Sequence, residues 1–223
     1  SLDAVVGSVA AKANGADCVA CPVLSNLMNA GIGAQGAVRA AAGEELETFI
    51  STLCEERLGR FEVLQPLDVV VAPGGSLAKS VALVVTEPPD FIARGHLYRF
   101  LLDLHRRLFD AVRSAGHRSL ALPTLGTGGM GYPPTIVCKA VARAAAEDFA
   151  MHPSDVIHYR VCCFDRRHLP VIQAYYSAAL HWAFDGRPHV DSLKLACTNV
   201  TTNQNSSEHS YEDSSSESTG QDQ

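Results

Sequence analysis

Two glycine-rich segments hold the residues whose types and spacing are best suited to chemistry in this chain. The first contains Gly31, Gly33 and Gly36 in the pattern GxGxxG and leads into a helix-like segment. The second follows a Leu-rich, strand-like run and places four glycines within residues 126–131. Glycines let consecutive backbone N–H groups approach a ligand closely, and the N-terminus of a helix favours an anion. Both segments therefore predict phosphate binding by backbone amides.

The glycine pattern does not indicate a dinucleotide-dependent oxidoreductase. That motif needs a strand that runs directly into the glycines and an acidic residue about 20 residues further on. Here the strand candidate ends near Cys21, and Glu55 and Glu56 fall in a polar helical region. No P-loop lysine follows the second segment, so this route to nucleotide hydrolysis is unsupported. Two anion cradles on one sheet instead predict a ligand with two phosphates, such as a nucleoside diphosphate derivative.

The elements that must position these loops alternate between strand-like and helix-like patterns over residues 1–190. Apolar, β-branched runs bounded by turn residues predict strands, and apolar residues at helical spacing predict helices. This alternation predicts an α/β domain with layers around a mainly parallel sheet. The strand candidates are 2–9, 17–21, 68–72, 80–86, 119–125 and 156–164, and the helix candidates are 35–58, interrupted at Gly43, 97–114, 134–149 and 168–182.

Composition divides the chain into a domain, residues 1–190, and a tail, residues 191–223. From Ala196 onward the chain has five acidic residues and no Lys or Arg, and it is rich in Ser, Thr and Asn. Such a segment buries too little apolar surface to offset its chain entropy, so we predict a disordered tail or linker. The whole chain has a net charge of −6. The part before Ala196 has 18 basic and 19 acidic residues, so it is nearly neutral. The domain must therefore attract an anion through local backbone dipoles.

Composition also excludes several classes of protein and partner. No apolar stretch reaches the roughly 18 to 20 residues that span a bilayer, so no membrane association is expected. The negative net charge argues against general nucleic-acid binding through a basic surface. Seven cysteines without dense spacing predict reduced, mostly buried thiols and an intracellular location, cytoplasmic or nuclear. The pair Cys18 and Cys21 lacks a second pair for zinc, the histidines have no metal spacing, and no GxSxG elbow is present.

Four segments in order resemble the macro domain, a family of ADP-ribose-binding modules. They are residues 31–43 with their glycine loop and helix, 68–77 with the run DVVVAPGGSL, 122–133 with the second glycine loop, and 156–164 with the last strand. The resemblance covers residues 1–185. It implies a three-layer α/β/α sandwich with a central mixed, mainly parallel sheet. It also implies an ADP-ribose cleft at the C-terminal ends of the strands.

The resemblance also implies a set of binding residues. The first loop would contact the diphosphate and the distal ribose, the second would wrap the phosphates, and Phe164 would pack on the adenine, with a plain core role as the alternative. The charged run at 165–168 reads as a solvated helix start, with ligand contact by an arginine as the alternative. The candidate binding residues are Ser8, Val9, Gly31, Ile32, Gly33, Ala34, Gly36, Gly126, Thr127, Gly128, Gly129, Met130, Gly131, Tyr132 and Phe164.

Two departures from the family pattern shape the expected function. Ser8 stands where the family carries the Asp that reads adenine, so a charge-assisted hydrogen bond is lost. Residues 21–24 stand where hydrolytic members carry NAAN, and Asn26 and Asn29 lie nearby without aligning. We therefore expect a non-catalytic reader of ADP-ribose or ADP-ribosylated proteins, with no catalytic residue, metal or cofactor. The alternatives are a divergent ADP-ribosyl hydrolase and a protein-interaction scaffold that has lost the ligand.

The wider context of the chain is also an expectation. The sequence begins at Ser1 without a methionine and shows no signal peptide, which suggests part of a longer protein. A multidomain ADP-ribosyltransferase and a viral polyprotein both fit the resemblance.

Overall fold

The computed structural model describes residues 1–11, 15–28, 31–59, 64–92 and 95–185. Over these ranges the chain forms a mixed sheet flanked by helices. The strands are β1 (Leu2–Val6), β2 (Cys18–Val23), β3 (Val69–Pro73), β4 (Ser80–Val85), β5 (Ser119–Pro123) and β6 (His158–Cys163). The helices are α1 (Gly33–Ala42), α2 (Glu44–Gly59), α3 (Leu97–Ser114), α4 (Pro134–Met151) and α5 (His168–Asp185), with a 3-10 turn at Pro89–Phe91.

The sheet has the strand order β1-β6-β5-β2-β4-β3. Its strands are parallel except β3, which pairs antiparallel with β4. Because a parallel strand must be reached by a crossover, each of these connections carries a helix or a long loop back across the sheet. The predicted mixed, mainly parallel sheet is confirmed.

Successive side chains of each central strand pack alternately into two separate hydrophobic cores, one on each face of the sheet. On β2, Cys18 and Ala20 belong to the core formed with α3, α4 and α5. Val19 and Cys21 belong to the core formed with α1 and α2 on the other face. Helices therefore cover both faces of the sheet, which confirms the three-layer α/β/α sandwich.

Glycine determines where the first two helices divide. Gly43 has φ +83 and its N–H donates to the Arg39 carbonyl at 3.0 Å. This left-handed conformation is one that glycine adopts without steric cost, so it ends α1 before α2 begins. The predicted interruption of the 35–58 helix at Gly43 is confirmed.

Three strands, β1, β5 and β6, are shorter than predicted by two residues or more, and the residues after them form loops at one edge of the sheet. β1 ends at Val6, before Gly7 with φ +150, and β5 ends at Pro123. β6 ends at Cys163, so Phe164 leaves the sheet. The predicted tail and its boundary at residue 190 lie outside the described residues. None of the helices in the described ranges is long and apolar enough to cross a bilayer.

Candidate functional site

A cleft of about 1330 Å³ lies along the edge where the parallel strands end. Its walls are the loop after β1, the end of β2, the start of α1, the loop after β5 and the segment that joins β6 to α5. Ligand pockets in proteins commonly have volumes of about 300 to 1,000 Å³. The cleft is therefore large enough for a dinucleotide-sized ligand.

The first glycine loop brings the start of α1 to the cleft. Gly31 and Gly33 have φ values of +67 and +62, and the N-cap residue Ile32 makes no side-chain cap hydrogen bond. The first backbone N–H groups of α1 are thus not capped by that side chain and lie at the cleft wall. A Cβ on Gly36 would lie 2.5 Å from the Gly31 carbonyl carbon, so this glycine lets the loop close on the helix.

The second glycine loop is shaped by the ring of Tyr132. A Cβ on Gly126, which has φ +79, would lie 2.0 Å from that ring, and the Tyr132 N–H donates to the Gly126 carbonyl at 2.9 Å. The buried Tyr132 hydroxyl donates to the Glu87 carbonyl, and burial raises its pKa to about 12. Gly131 closes a turn by donating to the Gly128 carbonyl at 2.9 Å. These contacts hold the loop in one conformation.

Other residues of the two loops face the cleft directly. Gly128 and Gly129 are exposed, and a Cβ at either position would meet open space. Of the sequence-predicted residues, Gly31, Gly36, Gly131 and Tyr132 shape the loops without lining the cleft. The predicted residues that line it are Ser8, Val9, Ile32, Gly33, Ala34, Gly126, Thr127, Gly128, Gly129, Met130 and Phe164.

The end of the cleft beside β1 and β6 carries an exposed aromatic ring. Phe164 is 90% exposed, which rules out the alternative core role for this side chain. The Gly7 N–H donates to the Cys163 carbonyl at 3.0 Å and keeps the loop after β1 against β6. Ser8 is exposed and its Oγ accepts the Ala10 N–H at 3.2 Å.

Three charged or polar residues after β6 also line the cleft, although the sequence favoured a solvated helix start there. Asp165 accepts hydrogen bonds from the Arg167 guanidinium, the shortest at 2.6 Å, and from the Arg167 N–H at 2.9 Å. These bonds lower the pKa of Asp165 to about 2. Burial lowers the pKa of His168, whose Nδ1 has no hydrogen-bond partner within the described residues. Asp165, Arg167 and His168 directly follow a predicted parallel strand, and this position is the signal that could have placed them in the site.

The loop after β2 is held by residues that sequence reasoning did not select. Arg39 is buried, donates to the Leu27 carbonyl at 2.8 Å and pairs with Glu47 on α2. Gln35 Nε2 donates to the Met28 carbonyl at 2.7 Å. These bonds tie the loop to the helix that it precedes.

The segment that departs from the hydrolytic pattern presents apolar side chains to the cleft. Pro22, Val23 and Leu24 line the cleft. Asn26 is exposed, and its Oδ1 accepts the Met28 N–H at 3.0 Å. It is not among the lining residues. Asn29 lies outside the described residues.

Helix ends supply most of the electrostatic character of the cleft. The helices α1, α4 and α5 begin there, and none of them has an acidic residue in its first turn. Helix α2, which begins elsewhere, has three: Glu44, Glu45 and Glu47. Acidic side chains offset the positive end of a helix dipole, so α1 and α4 keep theirs uncompensated, whereas the ionised Asp165 lies at the start of α5. Among the described lining residues, the ionised Asp165 and Arg167 pair with each other.

Comparisons with known proteins agree with this geometry. A family model described as Macro domain matches residues 13–141. A curated relative, the O-acetyl-ADP-ribose deacetylase of Cronobacter sakazakii, is 26% identical over 137 residues, which cover 61% of this chain and 73% of the relative.

Solved structures share the fold. A mutant of the Oceanobacillus iheyensis macrodomain with ADPR superposes with a TM-score of 0.66 at 20% identity, covering 79% of this chain and 91% of that one. The Trypanosoma brucei macrodomain in complex with ADP-ribose superposes with a TM-score of 0.62 at 18% identity, covering 77% and 67%.

Proposed function

The chain belongs to the macro domain family, and from this premise we propose that its cleft binds ADP-ribose, free or attached to a protein, without hydrolysing it. The observation that carries the proposal is the meeting of two glycine loops in one cleft, Ile32–Ala34 at the start of α1 and Gly126–Met130 after β5. The names of the similar structures that contain ADPR or ADP-ribose support the same ligand.

The diphosphate belongs between the two loops. The start of α1 and the loop after β5 line the cleft, and the α1 and α4 dipoles add positive potential there. Gly128 and Gly129 leave open space where a side chain would stand. A phosphate can therefore approach the backbone closely, which is what a site without lysine requires.

The carboxylate of the cleft and the residues at its β2 end support binding without catalysis. A general base must lie within about 2.6–3.2 Å of the proton that it removes, or one water away. Among the described lining residues, Asp165 is the carboxylate, and both of its oxygens accept from Arg167. The β2 end of the cleft is lined by Pro22, Val23 and Leu24, whose side chains have no polar group to orient a water molecule.

Calorimetry with ADP-ribose tests this proposal, with Gly128→Glu as the informative variant. Gly128 does not adopt a positive φ, and a Cβ at this position would meet open space, so the variant should fold. Its carboxylate would stand in the phosphate cradle and repel the diphosphate. We expect submillimolar binding by the native chain and loss of binding in the variant.

Gly128→Ala is the matched control, because it adds a methyl group without charge and should reduce affinity only slightly. Millimolar binding or none by the native chain would refute the proposal and favour the scaffold alternative. Unchanged affinity in Gly128→Glu would show that the diphosphate lies elsewhere.

A second candidate function is hydrolysis of an ester of ADP-ribose. Two observations favour it: the name of the Cronobacter relative, and His168, whose lowered pKa leaves a neutral imidazole beside the cleft at neutral pH. Incubation with O-acetyl-ADP-ribose and measurement of released acetate distinguishes the two functions. Acetate release that depends on His168 would show that the protein is an enzyme and would overturn the non-catalytic proposal.

A further inference from the structure

A second concave surface lies beside the cleft and shares one wall with it. This groove has a volume of about 520 Å³ and is lined by the segment that joins β4 to α3, by the first turns of α3 and by Pro66. Thr86 and Pro88 line the cleft, whereas Glu87, the residue between them, lines the groove. A single segment of backbone, residues 86–88, therefore separates the two.

The shared wall is fixed on both sides. The Thr86 N–H donates to the Val23 carbonyl at 2.9 Å, which ties the wall to the end of β2. The Tyr132 hydroxyl donates to the Glu87 carbonyl, which ties the wall to the glycine loop after β5. The groove and the cleft therefore keep a fixed position relative to each other.

The side chains of the groove are of the types that make contacts between proteins. Phe91, Ile92 and Phe100 supply an apolar surface, and Phe91 is 78% exposed. Arg99 lines the same groove. Aromatic residues and arginine are enriched at protein–protein interfaces and among the residues that contribute most to their affinity. The groove therefore has the composition of a small protein-binding surface.

The charges of the groove indicate which kind of macromolecule it fits. Two carboxylates, Glu87 and Asp103, line it together with Arg99. Carboxylates repel a nucleic acid or a lipid headgroup, both of which carry phosphate. An apolar surface with charges of both signs suits a segment of polypeptide.

We propose that the groove binds the polypeptide of an ADP-ribosylated protein next to its modified residue. This inference rests on the proposed function, with the diphosphate between the two glycine loops and the adenine toward Phe164. It extends that function from the ligand to the protein that carries it.

The order of the strands gives the direction of the bound ligand. Along the sheet, the cleft runs from β6, which Phe164 follows, past β5 and β2 to β4, which Thr86 and Pro88 follow. A ligand whose adenine lies toward Phe164 thus has its distal ribose toward the shared wall. In an ADP-ribosylated protein the distal ribose carries the protein, so the polypeptide leaves the cleft beside the groove.

The covalent link between ribose and protein makes a weak contact in the groove effective. Once ADP-ribose is held in the cleft, the attached polypeptide is at a high local concentration beside Phe91. A contact that is too weak to bind a separate peptide then strengthens binding of the modified one.

Calorimetry with three ligands tests this inference. The ligands are free ADP-ribose, a peptide in which leucines flank a serine that carries ADP-ribose, and the same modified peptide with glycines in place of the leucines. The leucine peptide can bury apolar side chains against Phe91, and the glycine peptide cannot. We expect the native chain to bind the leucine peptide about tenfold more tightly than either of the other two ligands.

Phe91→Ala is the informative variant. Phe91 is largely exposed and lines the groove but not the cleft, so the variant should fold and bind free ADP-ribose with native affinity. Its affinity for the leucine peptide should fall to within about twofold of its affinity for free ADP-ribose. Met151→Ala is the matched control, because it truncates another exposed apolar side chain, at the end of α4. It should keep the preference for the leucine peptide.

The outcomes separate the two proposals. If the native chain binds none of the three ligands, the proposed function fails. If the native chain binds all three with equal affinity, or if Phe91→Ala keeps the preference for the leucine peptide, the function stands and the role of the groove is overturned. A preference that Met151→Ala also removes would overturn that role as well, since the contact would then not depend on the groove.

Discussion

The two edges of the sheet use charge in opposite ways. Where the strands begin, charged side chains pair with one another: Arg113 Nη2 lies 2.7 Å from Asp148 Oδ1, and Lys79 Nζ lies 2.6 Å from Asp17 Oδ1. Where the parallel strands end, the cleft has one ion pair, between Asp165 and Arg167, among the described lining residues. At the first edge, charged side chains stabilise the fold by pairing with one another. At the second edge, the start of α1 and the glycine loop after β5 line an open cleft.

The direction of the helices explains this difference. A helix that follows a parallel strand runs back across the sheet, so α1, α4 and α5 begin at the cleft edge. The positive ends of α1 and α4 attract an anion, and the arginine that lines the cleft, Arg167, is paired with Asp165. At the opposite edge the strands begin, and α4 ends near the buried pair of Arg113 and Asp148. Substitutions at that edge should change stability, and substitutions at the cleft should change binding.

Asp148→Ala should have the largest effect on stability. Asp148 is 5% exposed, accepts two hydrogen bonds from Arg113 at 2.7 and 2.8 Å, and accepts the Tyr159 hydroxyl at 2.6 Å. Removing Asp148 leaves the buried Tyr159 hydroxyl without its acceptor and leaves Arg113 with Asp155 as its remaining carboxylate partner, and breaking such a buried pair costs about 3–5 kcal/mol. Urea denaturation should show this loss, whereas Asp110→Asn, at an exposed position on α3, should lose little.

The same variant tests the separation of the two edges. If Asp148→Ala is folded in the absence of denaturant, its affinity for ADP-ribose should equal that of the native chain. A large loss of affinity in a folded variant would contradict the separation.

Acid should weaken the helical layer through His105. This imidazole is fully buried, its Nδ1–H donates to the Leu101 carbonyl at 2.6 Å, and burial lowers its pKa to about 4. The unfolded chain takes up this proton below about pH 6.5, and the folded chain does so only near pH 4. The free energy of unfolding should therefore fall by about 3 kcal/mol as the pH falls from 6.5 to 4.

Denaturation at several pH values measures this slope, and His105→Leu removes the titrating group. The variant should show a flatter dependence over the same interval. An equally steep decline in His105→Leu would assign the acid sensitivity to other groups.

Gly126→Ala should reduce both stability and binding. Its Cβ would overlap the Tyr132 ring, and φ +79 is unfavourable for alanine. We expect a loss of about 1–3 kcal/mol in the free energy of unfolding and a clear loss of ADP-ribose affinity, because the loop must move. Gly128→Ala in the same loop should change neither by much, since its Cβ meets open space. Equal effects of the two variants would show that Tyr132 does not hold the loop.

Much of the fold was predictable because local patterns and global architecture agree. Val-rich runs such as β4, the apolar spacing of α3 and the break at Gly43 each follow from short-range rules. Strands alternating with helices then imply the parallel sheet. The binding loops were visible for the same reason, because glycines in a cluster mark unusual backbone conformations.

The details of the site depended on contacts between distant residues. The ring of Tyr132 shapes its loop through a bond to Glu87, 45 residues away, and the exposure of Phe164 depends on where β6 ends. Ser8 and Asp165 line the same cleft because β1 pairs with β6, which lies far from it in the sequence. No local pattern reports such pairs.

By itself, the sequence determined the order of strands and helices, the glycine loops that bring backbone amides to an anion, and the absence of lysine from those loops. These properties follow from side-chain periodicity and from the conformations open to glycine, which act over a few residues. The tertiary structure alone decided that the charges at one edge pair among themselves while α1, α4 and α5 direct their positive ends to the other. It also decided which side chains stand beside Phe164. Both depend on strand order and register, which are set by packing between residues far apart in the chain.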